Sequence, residues 1–188
     1  MSLPREPDPV KLIASLFSPE KAILHKAIQS LSSMFGPIDT VSHELLFDRT
    51  RYYAREMGWP LYRRFVSLRD LIPADHLVEV KLKTNGVERG YLHDGKRRVN
   101  IDPGYLCAER LILATGKNYV HRVYLSRGIY ADLTLIYRKG SYRALPWTYP
   151  DYAEPETIRI FNEIRGKYMN QLKEMRRLDK KHDSIWQG

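Results

Sequence analysis

The sequence predicts an α+β fold in which a ferredoxin-like β-α-β-β-α-β core is extended by an antiparallel β-meander and a C-terminal helix. Three observations predict this fold: an apolar strand that leads into a clearly signalled helix, a series of closely spaced strands in the middle, and an amphipathic helix near the end. A chain of 188 residues is long enough for one domain with a real core. We therefore expect a single domain, 1–188, with the core at 8–101, the strand extension at 102–145, the helix at 155–178 and a basic tail at 179–188.

The first strand and the first helix follow from local signals. Residues 9–17 are apolar on both faces, which is typical of a buried central strand. The Ser18-Pro19-Glu20 sequence then supplies an N-cap, a proline suited to the first helical position and an acidic first turn. Apolar residues continue at helical spacing until Gly36-Pro37, which ends the helix.

The next elements complete the core. Residues 38–47 alternate between apolar and polar, so they predict a strand, and residues 61–68 predict a third strand antiparallel to it. The segment 75–92 fits two patterns, a helical stripe or a hairpin that turns at Asn85-Gly86. The helix explains more of the segment, and a strand resumes at 98–101.

The remaining elements extend the sheet. Residues 110–115, 120–125 and 129–137 predict three strands joined by tight turns. A Pro-rich aromatic link, 146–152, leads to a helix that begins at Pro155. The predicted buried face of that helix consists of Ile158, Phe161, Ile164, Tyr168, Leu172 and Met175. We expect the helices to lie mostly on one face of the sheet.

Composition limits the classes of function. The net charge is +9, an excess that attracts polyanions or phosphorylated ligands. Cys107 is the single cysteine, which rules out an internal disulfide or a thiolate metal cage within one chain and indicates a reducing compartment. The N-terminal segment lacks a signal-length apolar run, and no stretch reaches the roughly 20 apolar residues of a membrane helix. The expectation is a cytoplasmic protein with no membrane partner.

A polar sheet face is the main candidate site. Strand alternation points Ile129, Ala131, Leu133 and Leu135 towards the core, and points Val123, Leu125 and His121 inward on the preceding strand. If the strands are neighbours, one face then carries Asn100, Asp102, Arg122, Tyr124, Tyr130, Asp132 and Thr134. The alternative is a solvated outer face, in which Arg122 and Asp132 form a cross-strand ion pair.

Specific roles follow if this face is a site. Lys117, His121 and Arg122 form a compact cationic group in which Lys117 and Arg122 hold a phosphate and His121 acts as an acid or base. Asp102 and Asp132 are the candidates for cation binding or proton transfer. The candidate catalytic residues are therefore His121, Asp102 and Asp132. The candidate ligand-binding residues are Asn100, Lys117, Arg122, Tyr124 and Tyr130.

Two other patterns have structural alternatives. The stretch 102–105, Asp-Pro-Gly-Tyr, has the composition of a turn. Lys81, Thr84, Asn85 and Glu88 fall on one helical face, which marks either a site or a solvated surface.

Several familiar chemistries lack their signatures. Gly116-Lys117 resembles the end of a P-loop, but Leu111 replaces its first glycine and Asn118 its hydroxyl residue. No G-x-G-x-x-G follows a strand, so a Rossmann site is unsupported and the cofactor is unknown. No G-x-S-x-G motif is present, and the histidines form no His-x-x-x-His pair for a metal.

Six stretches resemble an uncharacterised prokaryotic family, a domain of unknown function that automatic labels sometimes describe as GTP-binding. They are Phe47-x-x-Thr50-x-Tyr52-Tyr53-x-x-Glu56-Met57-Gly58, Lys81-Leu82-x-Thr84-Asn85, Val99-Asn100-Ile101-Asp102-Pro103-Gly104-Tyr105-Leu106, His121-Arg122-Val123-Tyr124-Leu125, Gly128-Ile129-Tyr130-Ala131 and Trp147-Thr148-Tyr149-Pro150-Asp151-Tyr152. The resemblance covers nearly the whole chain and implies no established activity. The family favours Glu where this chain has Asp132, which keeps the carboxylate.

The sequence leaves three functional hypotheses open. The leading one is binding of an anionic, phosphorylated or nucleotide-like ligand on the polar face. The second is an RNA-binding module that stacks bases on exposed tyrosines, although the aromatic strand pattern of an RNA-recognition motif is absent. The third is an assembly protein without a small-molecule site, which associates through Tyr52, Tyr53, Trp147, Tyr149 and Tyr152. The oligomeric state is not predicted.

Overall fold

The computed structural model describes residues 1–48 and 50–185, with side chains up to residue 178. The side chains of the predicted basic tail, 179–188, therefore lie outside the described residues. The strands are β1 (Val10–Ser18), β2 (Ile38–Val41), β3 (Leu45–Leu46), β4 (Tyr62–Ile72), β5 (Asn100–Leu106), β6 (Arg110–Thr115), β7 (Arg122–Ser126), β8 (Ile129–Arg138) and β9 (Ser141–Ala144). The helices are α1 (Lys21–Phe35), α2 (Ala54–Met57), α3 (Leu77–Gly90), α4 (Pro150–Ala153) and α5 (Pro155–Ile185).

The strands form one antiparallel sheet in the described part of the chain. Its order is β2-β4-β1-β5-β6-β8-β7, with β3 also paired to β4 and β9 to β8. All nine residues of β1 are buried, and β1 lies between β4 and β5. The predicted α+β class with a meander of strands after the core is therefore confirmed.

The helices cover both faces of the sheet, so the expectation that they lie mostly on one face is wrong. Ala14 and Leu16 of β1 pack with the apolar stripe of α1. Ile13 belongs to a second core cluster with Phe161 and Ile164 of α5. Because alternate residues of a strand face opposite ways, a strand that is apolar throughout needs a cover on each side.

The start of α1 uses the predicted Ser-Pro-Glu signal in a different way. The helix begins at Lys21, and the Ser18 hydroxyl accepts a hydrogen bond from the Glu20 backbone N–H at 3.0 Å. The same hydroxyl donates to the Arg98 carbonyl at 2.6 Å. Glu20 also forms an ion pair with Arg98. The signal therefore joins the start of the helix to the segment that leads into β5.

The second and third predicted strands differ from the structure in their bounds. Residues 38–47 form two short strands rather than one, because Ser42 leaves the ladder and bonds Phe65 with both its backbone N–H (2.8 Å) and its side chain (3.0 Å). The third strand, β4, extends to Ile72. The choice of a helix for 75–92 is confirmed by α3. The short elements α2, β9 and α4 carry no signal that the sequence patterns detected.

Helix α5 begins at Pro155 as predicted and continues past residue 178 to Ile185. Phe161, Ile164, Tyr168 and Leu172 of its predicted face are buried. Met175 is instead exposed, since the Tyr168 hydroxyl already bonds the carbonyl of Pro9, the residue just before β1, and α5 then runs past the end of that strand. None of the helices in the described residues is both long and apolar enough to cross a membrane.

Candidate functional site

The sheet opens between β5 and β6. Strand β5 pairs with β1 from Asn100 to Leu106, but it pairs with β6 only from Gly104 to Leu106. Residues 100–103 therefore have a strand on one side only, and we call this opening the β5/β6 split. The stretch 102–105 lies within β5, so its interpretation as a turn is wrong. Pro103, which has no N–H to donate, fits a strand segment that lacks one neighbour.

Side chains of α3 replace the missing strand at the split. The Lys81 ammonium donates to the Ile101 carbonyl at 3.0 Å, and the Glu88 carboxylate accepts from the Ile101 N–H at 2.5 Å. Lys81, Thr84 and Glu88 are buried. The alternative of a solvated helix face is therefore wrong for these three residues, and Lys81 and Glu88 satisfy the backbone carbonyl and N–H of Ile101.

The strand registers bring most of the predicted polar residues to one face, the face covered by α4 and α5. Directly opposed residues share a face, and the pairs that establish this are Phe17–Asn100, Ser15–Asp102, Ile13–Gly104, Gly104–Leu113, Leu113–Asp132, Arg122–Asp132, Thr115–Tyr130 and Tyr124–Tyr130. The face is not uniformly solvated: Asn100, Asp132 and Thr134 are buried, whereas Tyr124 is 57% exposed.

Two predicted inward directions, those of Val123 and Leu125, are wrong, and Leu135 lies in the core but on the face opposite to the predicted one. The register shifts between Leu111 and Ile112, so Leu135 joins the core cluster under α5 while Leu133 packs on the α3 side. Val123 and Leu125 are exposed rather than inward. They lie on β7, the edge strand, which extends beyond the apolar cluster under α3.

Arg122 forms the centre of a hydrogen-bond network on this face. Its Nε donates to Asp132 at 2.8 Å, its Nη1 to the Lys117 carbonyl at 3.0 Å and its Nη2 to the Tyr149 hydroxyl at 2.8 Å. The side chains of Arg122 and Asp132 are only 8% and 5% exposed. Burial disfavours the positive charge of Arg122 and so lowers its pKa. The hydrogen bonds to Asp132 and Tyr149 have the larger combined effect, so the pKa of Arg122 is raised. The predicted cross-strand ion pair is present.

His121 lies beside this pair in an aromatic setting. Its ring stacks on Trp147, with centroids 5.1 Å apart and planes 11° apart, and it forms a T-shaped pair with Tyr119, with centroids 5.4 Å apart. Its Nε2 is 3.4 Å from Oδ2 of Asp132, the oxygen that Arg122 also contacts. Neither ring nitrogen has a hydrogen-bond partner among the described residues. His121 is therefore buried next to a carboxylate without being bonded to it.

A second polar chain runs along the split. The Asn100 amide donates to Asp102 at 2.8 Å and its oxygen accepts from Arg97 at 2.8 Å. Arg97 in turn holds Glu56 in a bidentate pair at 2.6 and 2.7 Å, whose hydrogen bonds lower the pKa of Glu56. Lys81 lies 3.8 Å from the other oxygen of Asp102. Asn100 is thus a buried connector, and the carboxylate of Asp102 remains partly exposed.

Tyrosines lie near both the Arg122 network and the polar chain along the split. Tyr52 and Tyr53 meet edge to face with centroids 4.9 Å apart, and the exposed ammonium of Lys117 lies 5.4 Å from the Tyr52 ring centroid. Burial and then the negative charge of Asp102 raise the pKa of Tyr53 to about 12. Tyr149, held by Arg122, also acts on Tyr53 electrostatically. We call Tyr52, Tyr53, Asp102, Lys117 and Tyr149 the tyrosine surface.

Sequence reasoning missed two members of this arrangement. Glu56 and Arg97 lie 41 positions apart, and no helix or strand period relates them. Glu56 does occur in one of the stretches that resemble the family, which was the available signal. Among the described residues, no three His, Cys, Asp or Glu side chains lie together in a metal-binding arrangement.

Fold and site together define an α+β protein whose antiparallel sheet opens beside a polar, tyrosine-rich surface. A family model described as "Domain of unknown function (DUF4416)" matches residues 8–168. Because that match covers most of the chain, the protein belongs to this family, which confirms the resemblance to an uncharacterised family. A search of curated proteins and a search of solved structures each found no match.

Proposed function

We propose that this protein binds an anionic, phosphorylated or nucleotide-like ligand on the tyrosine surface. The observation that carries the proposal is Lys117: its exposed ammonium pairs with none of the described carboxylates and lies against the Tyr52 ring. A free ammonium suits a phosphate, and exposed aromatic rings suit a planar base. The partly exposed carboxylate of Asp102 supplies an acceptor for a hydroxyl or amine of the same ligand.

The role of Arg122 in this proposal is to shape the surface. Its Nε and both terminal nitrogens donate to Asp132, Lys117 and Tyr149. These bonds fix the backbone of Lys117 and the ring of Tyr149. Lys117 supplies the cation that the ligand would meet, and Tyr149 supplies one of the aromatic rings. Arg122→Ala is therefore expected to weaken anion binding by misplacing both.

The test is a thermal-shift and calorimetric screen of nucleotides and sugar phosphates. A ligand that binds only the folded state raises the melting temperature with its concentration. We expect Lys117→Ala to weaken the affinity for a hit at least fivefold, and the exposed Lys173→Ala on α5 to leave the affinity unchanged. Equal loss in both variants would show a diffuse charge effect. Stabilisation by short RNA alone, lost at higher salt, would favour the RNA-binding alternative.

We also propose that residues 8–101 form a ferredoxin-like core in a cytoplasmic protein. The order β2-β4-β1-β5 with antiparallel pairing throughout supports that core, as do the positions of α1 after β1 and of α3 after β4 in the chain. The single cysteine, Cys107, which forms no internal disulfide, supports the location.

Assembly is the second candidate function, and the edge strand β7 favours it. The opposite edge, β2, is partly covered, because Lys167 of α5 bonds the Asp39 carbonyl (2.7 Å) and the Thr40 hydroxyl (2.8 Å). Beside β7, the exposed large hydrophobic side chains are Tyr119, Val120, Val123, Tyr124 and Leu125. An uncovered apolar edge is a template for pairing with another chain.

The partner that fits this edge is a second copy of the chain. Arg122 is neutralised by Asp132 and Arg127 by Glu79, so two copies can approach along β7 despite the net charge of +9. An antiparallel pair centred on Tyr124 would bring apolar residues of both strands together. The surface that the sequence suggested differs from this one, since Tyr152 is buried. Concentration-dependent dimers in sedimentation, abolished by Tyr124→Lys, are expected; a monomer at all concentrations would contradict assembly.

A further inference from the structure

His121 is a buried titratable group that forms no hydrogen bond with the network around Arg122. Its side chain is 7% exposed and lies between the face of Trp147 and the ring of Tyr119. Its two ring nitrogens lack hydrogen-bond partners among the described residues. A buried polar atom without a partner costs free energy, and such atoms in folded proteins call for an explanation.

The groups that face His121 come from two strands and two connecting segments. Asp132 of β8 lies 3.4 Å from its Nε2, and Arg122 of β7 contacts the same carboxylate oxygen at 2.8 Å. Tyr119, from the turn before β7, is the titratable group at its edge, and Trp147 closes the other side. With a neutral imidazole, the charges of Arg122 and Asp132 cancel. With an imidazolium, the same group of side chains carries one net positive charge.

We propose that protonation of His121 strengthens anion binding at the tyrosine surface, so that His121 makes ligand affinity depend on pH. Histidine is the side chain whose charge ordinarily changes between about pH 5 and 8. The proton, taken from solvent, places a positive charge 3.4 Å from the Asp132 carboxylate, and the stacked Trp147 ring favours the cation. The added positive charge attracts an anion while Arg122 keeps the backbone of Lys117 and the ring of Tyr149 in place.

The coupling is reciprocal. If a proton on His121 favours the anion, the anion must favour the proton by the same factor. Binding of an anionic ligand near neutral pH is therefore expected to take up part of a proton. This coupling rests on the proposed function, whereas protonation of His121 in the free protein does not, and the two are tested separately.

The first experiment needs no ligand. Imidazolium quenches a stacked indole, so tryptophan fluorescence of the full chain is measured from pH 5 to 8.5. We expect a transition that is lost in both His121→Gln and Trp147→Phe, while Trp59→Phe keeps it. Circular dichroism of each variant establishes that it is folded. A transition of unchanged size in His121→Gln, or its absence from the wild-type protein, would overturn the proposal.

The second experiment measures binding of ADP-ribose by calorimetry at pH 6 and pH 8, because its pyrophosphate diester keeps the same charge at both values. Roughly tenfold tighter binding at pH 6 is expected in the wild-type protein, within the usual range of coupling between sites. The ratio is expected to fall near one in His121→Gln. Equal affinities in the wild-type protein would refute the coupling. No binding at either pH, with the fluorescence transition intact, would instead count against the proposed function.

Discussion

Glu88 of α3 accepts a hydrogen bond from the backbone N–H of Ile101 at 2.5 Å, on the side of β5 where β6 is absent. A helix side chain thus does what a neighbouring strand does elsewhere in the sheet. With the Lys81 bond to the Ile101 carbonyl, the Glu88 bond satisfies both backbone groups of Ile101 without closing the β5/β6 split. Strand alternation places Asn100 and Asp102 on the face that carries the tyrosine surface.

Glu88→Gln should make stability less dependent on pH. Burial raises the pKa of Glu88, so the folded protein holds this proton more tightly than the unfolded chain. Its contribution therefore lowers the free energy of unfolding as pH rises from about 4.3, the ordinary glutamate value, through the raised pKa. An amide oxygen still accepts the Ile101 N–H but does not titrate. Urea unfolding at pH 4.5, 6 and 7.5 measures the difference.

The exposed Glu79→Gln on the same helix is the control for loss of a carboxylate, and it is measured at the same three pH values. If Glu88→Gln follows the wild-type profile, burial of Glu88 does not perturb its ionisation.

Arg122→Ala should destabilise the protein by about 3–5 kcal/mol, because it leaves the buried carboxylate of Asp132 without its counter-charge. Asp132→Asn removes that charge, so the double variant Arg122→Ala/Asp132→Asn should recover part of the loss. Guanidinium unfolding of the two single variants and the double variant gives the coupling energy. Strictly additive effects would mean that the ion pair does not stabilise the site.

Gly104→Ala should be strongly destabilising. A Cβ at Gly104 would lie 2.2 Å from the Ile112 carbonyl oxygen and 3.1 Å from the Leu113 Cα, so β5 and β6 would have to separate just where they first pair. Overpacking costs about 1–3 kcal/mol where side chains can adjust, and here the obstacle is backbone. Thermal unfolding should show a large fall in melting temperature.

Gly116→Ala is the matched control, since its Cβ would meet only the Gly128 carbonyl oxygen, at 4.0 Å. Equal melting temperatures for Gly104→Ala and Gly116→Ala would show that the close approach of β5 and β6 is not needed.

Lys11→Met should destabilise the protein by roughly 3 kcal/mol. Lys11 is fully buried on β1, where its ammonium pairs with Asp39 of β2 and donates to Gln171 of α5 at 2.7 Å. Burial opposes the charge of Asp39, but hydrogen bonds from Lys11 and Ser67 outweigh it and lower its pKa. The Asp39 carboxylate therefore contributes stability at neutral pH that is lost as pH falls below about 3.9, whereas burial lowers the pKa of Lys11 and opposes its charge.

Chemical denaturation at pH 7 and pH 3 checks both parts, with the exposed Lys26→Met on α1 as the control. A Lys11→Met protein as stable as the control at pH 7 would mean that a methionine replaces this network without cost.

The family resemblance, the α+β class and the presence of α3 could be predicted from sequence because each depends on local patterns. The position of Pro103 within a strand could not be predicted in this way. The Asp-Pro-Gly-Tyr stretch has the composition of a turn, yet β1 holds it as a strand. The direction of Leu135 could not be predicted either, because a one-residue register shift against β6 moves it to the opposite face.

The sequence by itself determined the order of the main elements and the alternation that brings Asp102, Arg122 and Asp132 to one face, since strand period and turn residues act over short distances. The tertiary structure alone decided how each of them is used. The split that Lys81 and Glu88 line, the helices on both faces and the burial of His121 against Trp147 depend on contacts between residues far apart in the chain. No local period encodes such contacts, because they form only when the sheet and its two layers of helices pack together.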